Sequence, residues 1–192
     1  RLGDGTTSNK YSPVQVSDLT NVIAVAGGMY HSLALESDGT VWTWGYNNHG
    51  QLGNGSFTDS STPVQVNNLD GIIAIAGGKE HSLALKLDGT VWAWGYNSYG
   101  QLGNGSTYTS TAPVQVSSLT NITAIASGKE HSLALESEGT VWTWGYNNHG
   151  QLGDSTTTNS TIPLQVSNLG DVVAVAVAAG QARSFALKSD GT

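Results

Sequence analysis

TVWTWGYNNHGQLG, residues 40–53, returns letter for letter at residues 140–153, and between them residues 90–103 read TVWAWGYNSYGQLG. A string so rich in Trp, Tyr, Asn, His and Gln invites a ligand-site reading, but its regular return makes it first of all a repeat. The period is 50 residues, marked by Pro13, Pro63, Pro113 and Pro163, by His31, His81 and His131, and by Gly45, Gly95 and Gly145. It divides the chain into units 1–50, 51–100, 101–150 and 151–192, the last truncated. Unit four slips by two residues, because VVAVAVAAG (172–180) is longer than ITAIASG (122–128), and Arg183 takes the place of the histidine. Thr192 is the equivalent of Thr40, so the segment matching Val41–Gly50 has no fourth copy. A fixed period of this length marks a repeat architecture, in which each unit buries its apolar face against its neighbours.

Each unit reads as four short strands. IIAIAG (72–77) is a compact apolar run of small residues, suited to crowding. SLALKLDGTVWAWG (82–95) is two strands around an Asp-Gly turn, the strongest short hairpin signal. Alternation places Leu83 and Leu85 on one face of the first, and Trp92 and Trp94 on one face of the second. TPVQV (62–66) is the fourth, and Pro63 at its start suits an edge, where no ladder donor is needed. A polar loop, 95–112, leads into the next such strand. Four antiparallel strands in about 50 residues is the arithmetic of a propeller blade. The expected fold is therefore an all-β propeller, a partial ring of roughly four blades, with the Ala/Gly-rich strand innermost and the PVQV strand outermost. A parallel β-helix ranks behind, since its coils are shorter and lack the hairpin.

The pattern GG-x-x-HSLAL-x-x-DGTVW-x-WG-x-N-x-x-GQLG is met in full at 27–53 and 77–103, and at 127–153 with Ser127 and Glu138 as departures. Unit four keeps only AGQARSFALKSDGT. With these residues the chain resembles the regulator of chromosome condensation repeat family over essentially its whole length. The resemblance implies a propeller, seven-bladed in the well-known members, but no single activity. Members include a nucleotide-exchange factor for a small GTPase that also docks on chromatin, a plant ultraviolet photoreceptor and a secreted bacterial β-lactamase inhibitor. The photoreceptor's Trp and Arg before the histidine are here Met29-Tyr30, Lys79-Glu80 and Lys129-Glu130, so its chemistry is not supported.

Composition narrows the function classes. A net charge of −7 with few Lys and Arg argues against a nucleic-acid partner. No apolar run is long enough to cross a membrane. RLGDGTTSNK at the start has no apolar core, so no signal peptide is expected, and the protein reads as soluble with its compartment unknown. With no Cys there is no disulfide or thiol chemistry.

Recurrence also weighs on the candidate sites. Trp42, Trp44, Trp92, Trp94, Trp142 and Trp144 are expected to fill the spaces between blades rather than to form sugar shelves. His31, His81 and His131 return once per unit and are spread round a ring, so they do not converge on a metal. Each is expected to bond a backbone group at a strand start. The loop NNHGQLGNGS (47–56) has the Asn/Gly density of a calcium loop without its carboxylates, and turn formation is the better account. No cofactor and no metal are expected. Catalysis needs unlike residues converging, which regular repetition does not offer, so an enzyme is not expected.

The informative positions vary while the frame stays fixed. Directly before the repeated histidine stand Met29-Tyr30, Lys79-Glu80, Lys129-Glu130 and Gln181-Ala182, at the turn leaving the innermost strand and hence near the channel mouth. His49 and His149 vary in the loop, Tyr99 replacing them in the middle unit, and the two histidines read as exposed. Tyr30, Lys79, Glu80, Lys129, Glu130, His49, Tyr99 and His149 are thus the candidate partner-binding residues. The variable loops 56–61, 106–111 and 155–160 are a second such set.

The expected function is a non-enzymatic scaffold for a protein partner. Its alternatives are a multivalent glycan-binding propeller and, lower, guanine-nucleotide exchange on a small GTPase. Counted from inner to outer strand, 22–67, 72–117 and 122–167 are complete blades, 172–188 supplies two inner strands of a fourth, and SPVQV (12–16) is an outermost strand without its blade. Open blade faces of this kind lead to the expectation of a longer array or of self-association that completes the ring.

Overall fold

The computed structural model describes residues 1–177 and 183–192; the variable pair Gln181-Ala182 lies outside the described residues. Among the described residues fourteen strands follow in order: β1 (Val22–Gly27), β2 (His31–Glu36), β3 (Val41–Gly45), β4 (Ser60–Gln65), β5 (Ile72–Gly77), β6 (His81–Lys86), β7 (Val91–Gly95), β8 (Ser110–Gln115), β9 (Ile122–Ser127), β10 (His131–Glu136), β11 (Val141–Gly145), β12 (Ser160–Gln165), β13 (Val172–Val177) and β14 (Ser184–Lys188). They form three four-stranded antiparallel sheets, β1–β4, β5–β8 and β9–β12, and a two-stranded sheet of β13 and β14. The sheets are propeller blades in a partial ring, as the period predicts. β1, β5, β9 and β13 contact one another in series and form the inner edge of the arc.

Small residues on the inner strands follow from that crowding. A Cβ at Gly77 would lie 2.7 Å from the backbone nitrogen of Gly28 in the preceding blade. Backbone bonds then tie the blades where these strands end: Met29 N–H donates to Gly78 O at 3.0 Å, and Lys79 N–H to Lys129 O at 2.9 Å. The Asp-Gly hairpin is formed as the sequence implies, with Gly39 and Gly89 at φ 86° and 79° and with Asp88 accepting from Thr90.

The tryptophans fill the junctions between blades. Trp94, fully buried, joins Leu33, Leu35, Val41, Val66 and Ala84 between the first two blades, with Trp92 packed against them. Trp144 joins Leu83, Leu85, Val91, Leu102 and Val116 between the second and third, with Trp142 alongside. Burying an indole removes a large apolar area from water, the dominant stabilising term in such a core.

Two strand expectations are corrected. The outer strand of the first blade begins at Ser60 rather than Thr62, which puts Pro63 in its middle. The proline is still accommodated because β4 lies at the edge of its sheet. Residues 12–16 form no strand. An outer strand needs a neighbour to pair with, and none lies beside this segment among the described residues. The N-terminal stretch instead packs on the first blade: Gly5 N–H donates to Ser61 O at 3.1 Å, and Gly3 sits against Val16 and the Trp44 indole.

Candidate functional site

The recurrent histidines begin β2, β6 and β10 and turn their rings toward the following blade. His31 Nε2 lies 2.8 Å from Ser82 Oγ, and that hydroxyl donates to the Gln51 carbonyl at 3.0 Å. The serine proton being thus engaged, Nε2–H of the imidazole is the donor. His81 repeats the link to Ser132 at 3.1 Å and gains Ser127 at 2.8 Å; His131 reaches Ser184 at 3.0 Å. The expected backbone partner is therefore replaced by a side-chain hydroxyl of the next blade, which relays the bond to a carbonyl. Burial pushes His31 and His131 down to about 4 and His81 to about 3. Neutral rings committed to serines are staples between blades.

The variable residues lie on the rim above these staples, and three bonds explain why they meet. Tyr46 N–H donates to Tyr30 O at 2.9 Å, while Tyr96 and Tyr146 donate to Glu80 O and Glu130 O, each at 2.8 Å. The turn leaving the third strand is thereby clamped to the turn leaving the innermost one. Behind it, Asn47 is fully buried; its carbonyl oxygen accepts from Leu52 N–H at 2.9 Å and its amide donates to Thr58 O at 2.9 Å. Asn97 and Asn147 repeat the first bond. This shapes the loop so that its tip reaches the next blade.

The result is a ladder of rings across three blades. His49 stands 4.8 Å from Tyr96, Tyr96 is 6.0 Å from Tyr99, Tyr99 is 4.8 Å from Tyr146, and Tyr146 is 6.0 Å from His149. Tyr30 and Tyr46 form a further pair at 6.0 Å. The rings are tilted or edge-on, the favourable geometry for aromatic contact.

Charged groups run beside the ladder. Lys79 Nζ is 3.3 Å from Glu80 and 3.6 Å from Glu130, so one ammonium spans two blades. His49 Nε2 approaches Glu80 at 3.8 Å. Burial works against the Lys79 ammonium, but Glu80 and then Glu130 outweigh it and hold the amine more firmly protonated than usual. The Glu130 carboxylate, with Tyr96 behind it, raises the Tyr99 hydroxyl above the ordinary phenol range.

Of the residues singled out by sequence, Tyr30, Lys79, Glu80, Glu130, His49, Tyr99 and His149 all lie on this rim. Lys129 shares it through its backbone carbonyl but has no ion pair among the described residues. His49 is half-buried rather than exposed, because its ring packs on Tyr96, whereas His149 is exposed. Sequence reasoning missed Tyr46, Tyr96 and Tyr146. Their signal is present, an aromatic between Gly and Asn in each of the three copies, but the candidates are drawn from positions that vary, and these do not.

A family model described as RCC1-like domain matches residues 1–192. Among solved structures, human WBSCR16 is similar at 26% identity and a TM-score of 0.77, over 88% of this chain and 45% of that one. Prp20p of Saccharomyces cerevisiae, described with its binding to Gsp1p and histones, is similar at 23% identity and a TM-score of 0.76, over 88% of this chain and 43% of that one. The same yeast protein bound to Kap60 gives 21% identity and a TM-score of 0.72, over 89% and 43%. The chain thus spans less than half the length of these relatives. No helix is long and apolar enough to cross a membrane among the described residues.

Proposed function

Because the chain belongs to the RCC1-like domain family, we propose that it is a non-catalytic scaffold whose propeller rim binds a protein partner. The observation that carries this reading is the ring ladder from His49 to His149, floored by Glu80, Lys79 and Glu130. Aromatic groups beside paired charges on a rigid frame offer the apolar anchors and orienting polar contacts that protein interfaces use. The rim is made of turns, the part of a fold freest to vary, while the sheets beneath are held by buried tryptophans and histidine staples. Prp20p, which has this fold, is a protein that binds Gsp1p and histones, and protein binding is the use of the fold proposed here.

A glycan-binding propeller would need equivalent pockets in successive blades. Tyr46, Tyr96 and Tyr146 recur, but the residue clamped beside them is Tyr30 in the first blade and Glu80 and Glu130 in the next two. The loop ring is His49, Tyr99 and His149 in turn, so no two blades present the same set, and such a lectin requires that they do. The test compares proteins captured by the native chain with those captured by a Tyr96→Ala, Glu80→Gln, Glu130→Gln variant of unchanged thermal stability. Loss of specific partners supports the rim. An unchanged set of partners overturns it, and binding to a glycan array that rises with sugar valency favours the lectin. A nucleotide-release assay with small GTPases addresses exchange activity, and no acceleration dismisses it for the GTPases tried.

A further inference from the structure

Equivalent turns of the repeat carry Asp4, Asn54, Asn104 and Asp154 at one position. In each, a side-chain oxygen accepts from the residue two places on. Asn54 Oδ1 accepts from Ser56 N–H at 3.2 Å and from its hydroxyl at 2.9 Å, and Asn104 does the same with Ser106. Asp154 accepts from Thr156 N–H at 3.0 Å and from its hydroxyl at 2.9 Å, and Asp4 takes the same two bonds from Thr6. A third donor is the buried asparagine of the loop. Asn47 and Asn97 reach Asn54 and Asn104 at 3.4 Å, whereas Asn147 reaches Asp154 at 3.0 Å.

In all of these contacts the residue is the acceptor, and an amide brings N–H donors that they do not use. A carboxylate makes the same contacts as charge-assisted bonds, the stronger kind. At Asp154 burial works against the charge, but Thr156 and then Asn147 outweigh it and hold the carboxyl below its usual range. The turn suits a carboxylate, and positions 54 and 104 hold its amide. Both amides precede an exposed glycine, in Asn54-Gly55 and Asn104-Gly105. With no Cβ on the following residue, its backbone nitrogen can approach the side-chain carbon of the asparagine. In the closed blade junction that nitrogen is engaged: Gly55 N–H donates to Thr111 O and Gly105 N–H to Thr161 O, each at 2.9 Å and each across to the next blade.

We infer that Asn54 and Asn104 are sites of intramolecular deamidation, gated by the junctions between blades. When a junction opens locally, the freed Gly55 nitrogen bonds to Cγ of Asn54. The Cγ–Nδ2 bond breaks, and ammonia leaves with the proton of Gly55. Water then opens the cyclic imide. Cleavage of its Cγ–N bond leaves an aspartate on an unaltered backbone, with the acceptors that the turn calls for. Cleavage of the other C–N bond leaves isoaspartate, whose longer backbone displaces Gly55 from Thr111. Asn104 reacts in the same way through Gly105. Each aspartate adds a negative charge and strengthens the hold on Asn47 or Asn97, which shape the loops carrying His49 and Tyr99. The inference is independent of what the rim binds.

The protein is held in mildly alkaline buffer, folded and urea-unfolded, and peptide mapping by mass spectrometry follows asparagine, aspartate and isoaspartate at each position. Conversion at 54 and 104 is expected ahead of every other asparagine, and faster in the unfolded chain than in the folded one. Ser82→Ala, which loosens the first junction, should speed conversion at Asn54 about fivefold or more and leave Asn104 near its native rate. Urea below the unfolding transition opens both junctions without a substitution and should raise both rates. Asn54→Asp should melt no lower than the native chain. Equal rates in folded and unfolded protein overturn the gate, as do rates that neither Ser82→Ala nor low urea raises. A lower melting temperature for Asn54→Asp overturns the carboxylate reading of the turn.

Discussion

His31 and Ser82 stand 51 residues apart in sequence and 2.8 Å apart in space, one on each side of a blade junction. The contact joins the first residue of β2 to the second residue of β6, so one blade's strand start is registered against the next. The Nε2–H donor would survive protonation of the ring; the junction is tied to pH because the charge would have to form on an imidazole buried away from water.

Stability should therefore fall with acid in a defined window. The folded-state values, about 4 for His31 and His131 and about 3 for His81, lie below the ordinary histidine value near ~6.5. Below that value the unfolded chain binds protons that the folded one refuses. The stabilisation from neutral rings is complete above pH ~6.5 and is lost as pH drops toward the folded values, by about 1.4 kcal/mol per pH unit for each ring. Melting temperatures measured from pH 8 to pH 4 should be level at first and then decline. His31→Gln should make the decline shallower; an unchanged slope would contradict the assignment.

Two of the serine staples, those of Ser82 and Ser132, should differ in value. Ser82→Ala removes the partner of His31 Nε2, leaving a buried donor unpaired, for a loss of about 1–3 kcal/mol. Ser132→Ala should cost less, because His81 keeps Ser127 at 2.8 Å. Urea unfolding of the two variants makes the comparison, and an equal loss would mean that Ser127 does not share the bond.

The period made the blade legible because strand, hairpin and tryptophan positions are local properties repeated every 50 residues. The staples were not legible for the same reason: a unit read alone offers His31 only its own backbone, and the hydroxyl belongs to the next unit. The rim was half legible. Variation exposed Glu80 and Glu130, whereas Tyr96 and Tyr146 hid among residues fixed by the frame although each stacks on a variable ring. Residues 12–16 spell the outer-strand pattern, but a strand is a pairing and the pattern cannot supply its neighbour.

Removing a charge on the rim should report on the ladder itself. The Tyr99 hydroxyl is raised chiefly by the Glu130 carboxylate. Glu130→Gln removes that repulsion toward the phenolate, so Tyr99 should ionise at lower pH than in the native protein. Its ring signals followed by NMR through the alkaline range give the midpoint, and no shift would separate Tyr99 from Glu130.

Two glycines can isolate the contribution of a junction indole. Gly103 and Gly153 share the left-handed backbone, at φ 65° and 66°, so alanine costs each about 1–2 kcal/mol for conformation alone. At Gly103 the new methyl also lies 2.7 Å from Trp144 Nε1, a packed group that cannot withdraw, which adds about 1–3 kcal/mol of overpacking. At Gly153 its nearest neighbour is a Val166 methyl at 3.3 Å, which needs only a small adjustment. Gly103→Ala should therefore be clearly the more destabilising in urea unfolding. If the two variants lose the same stability, the glycine is kept for its backbone alone and not to admit an indole.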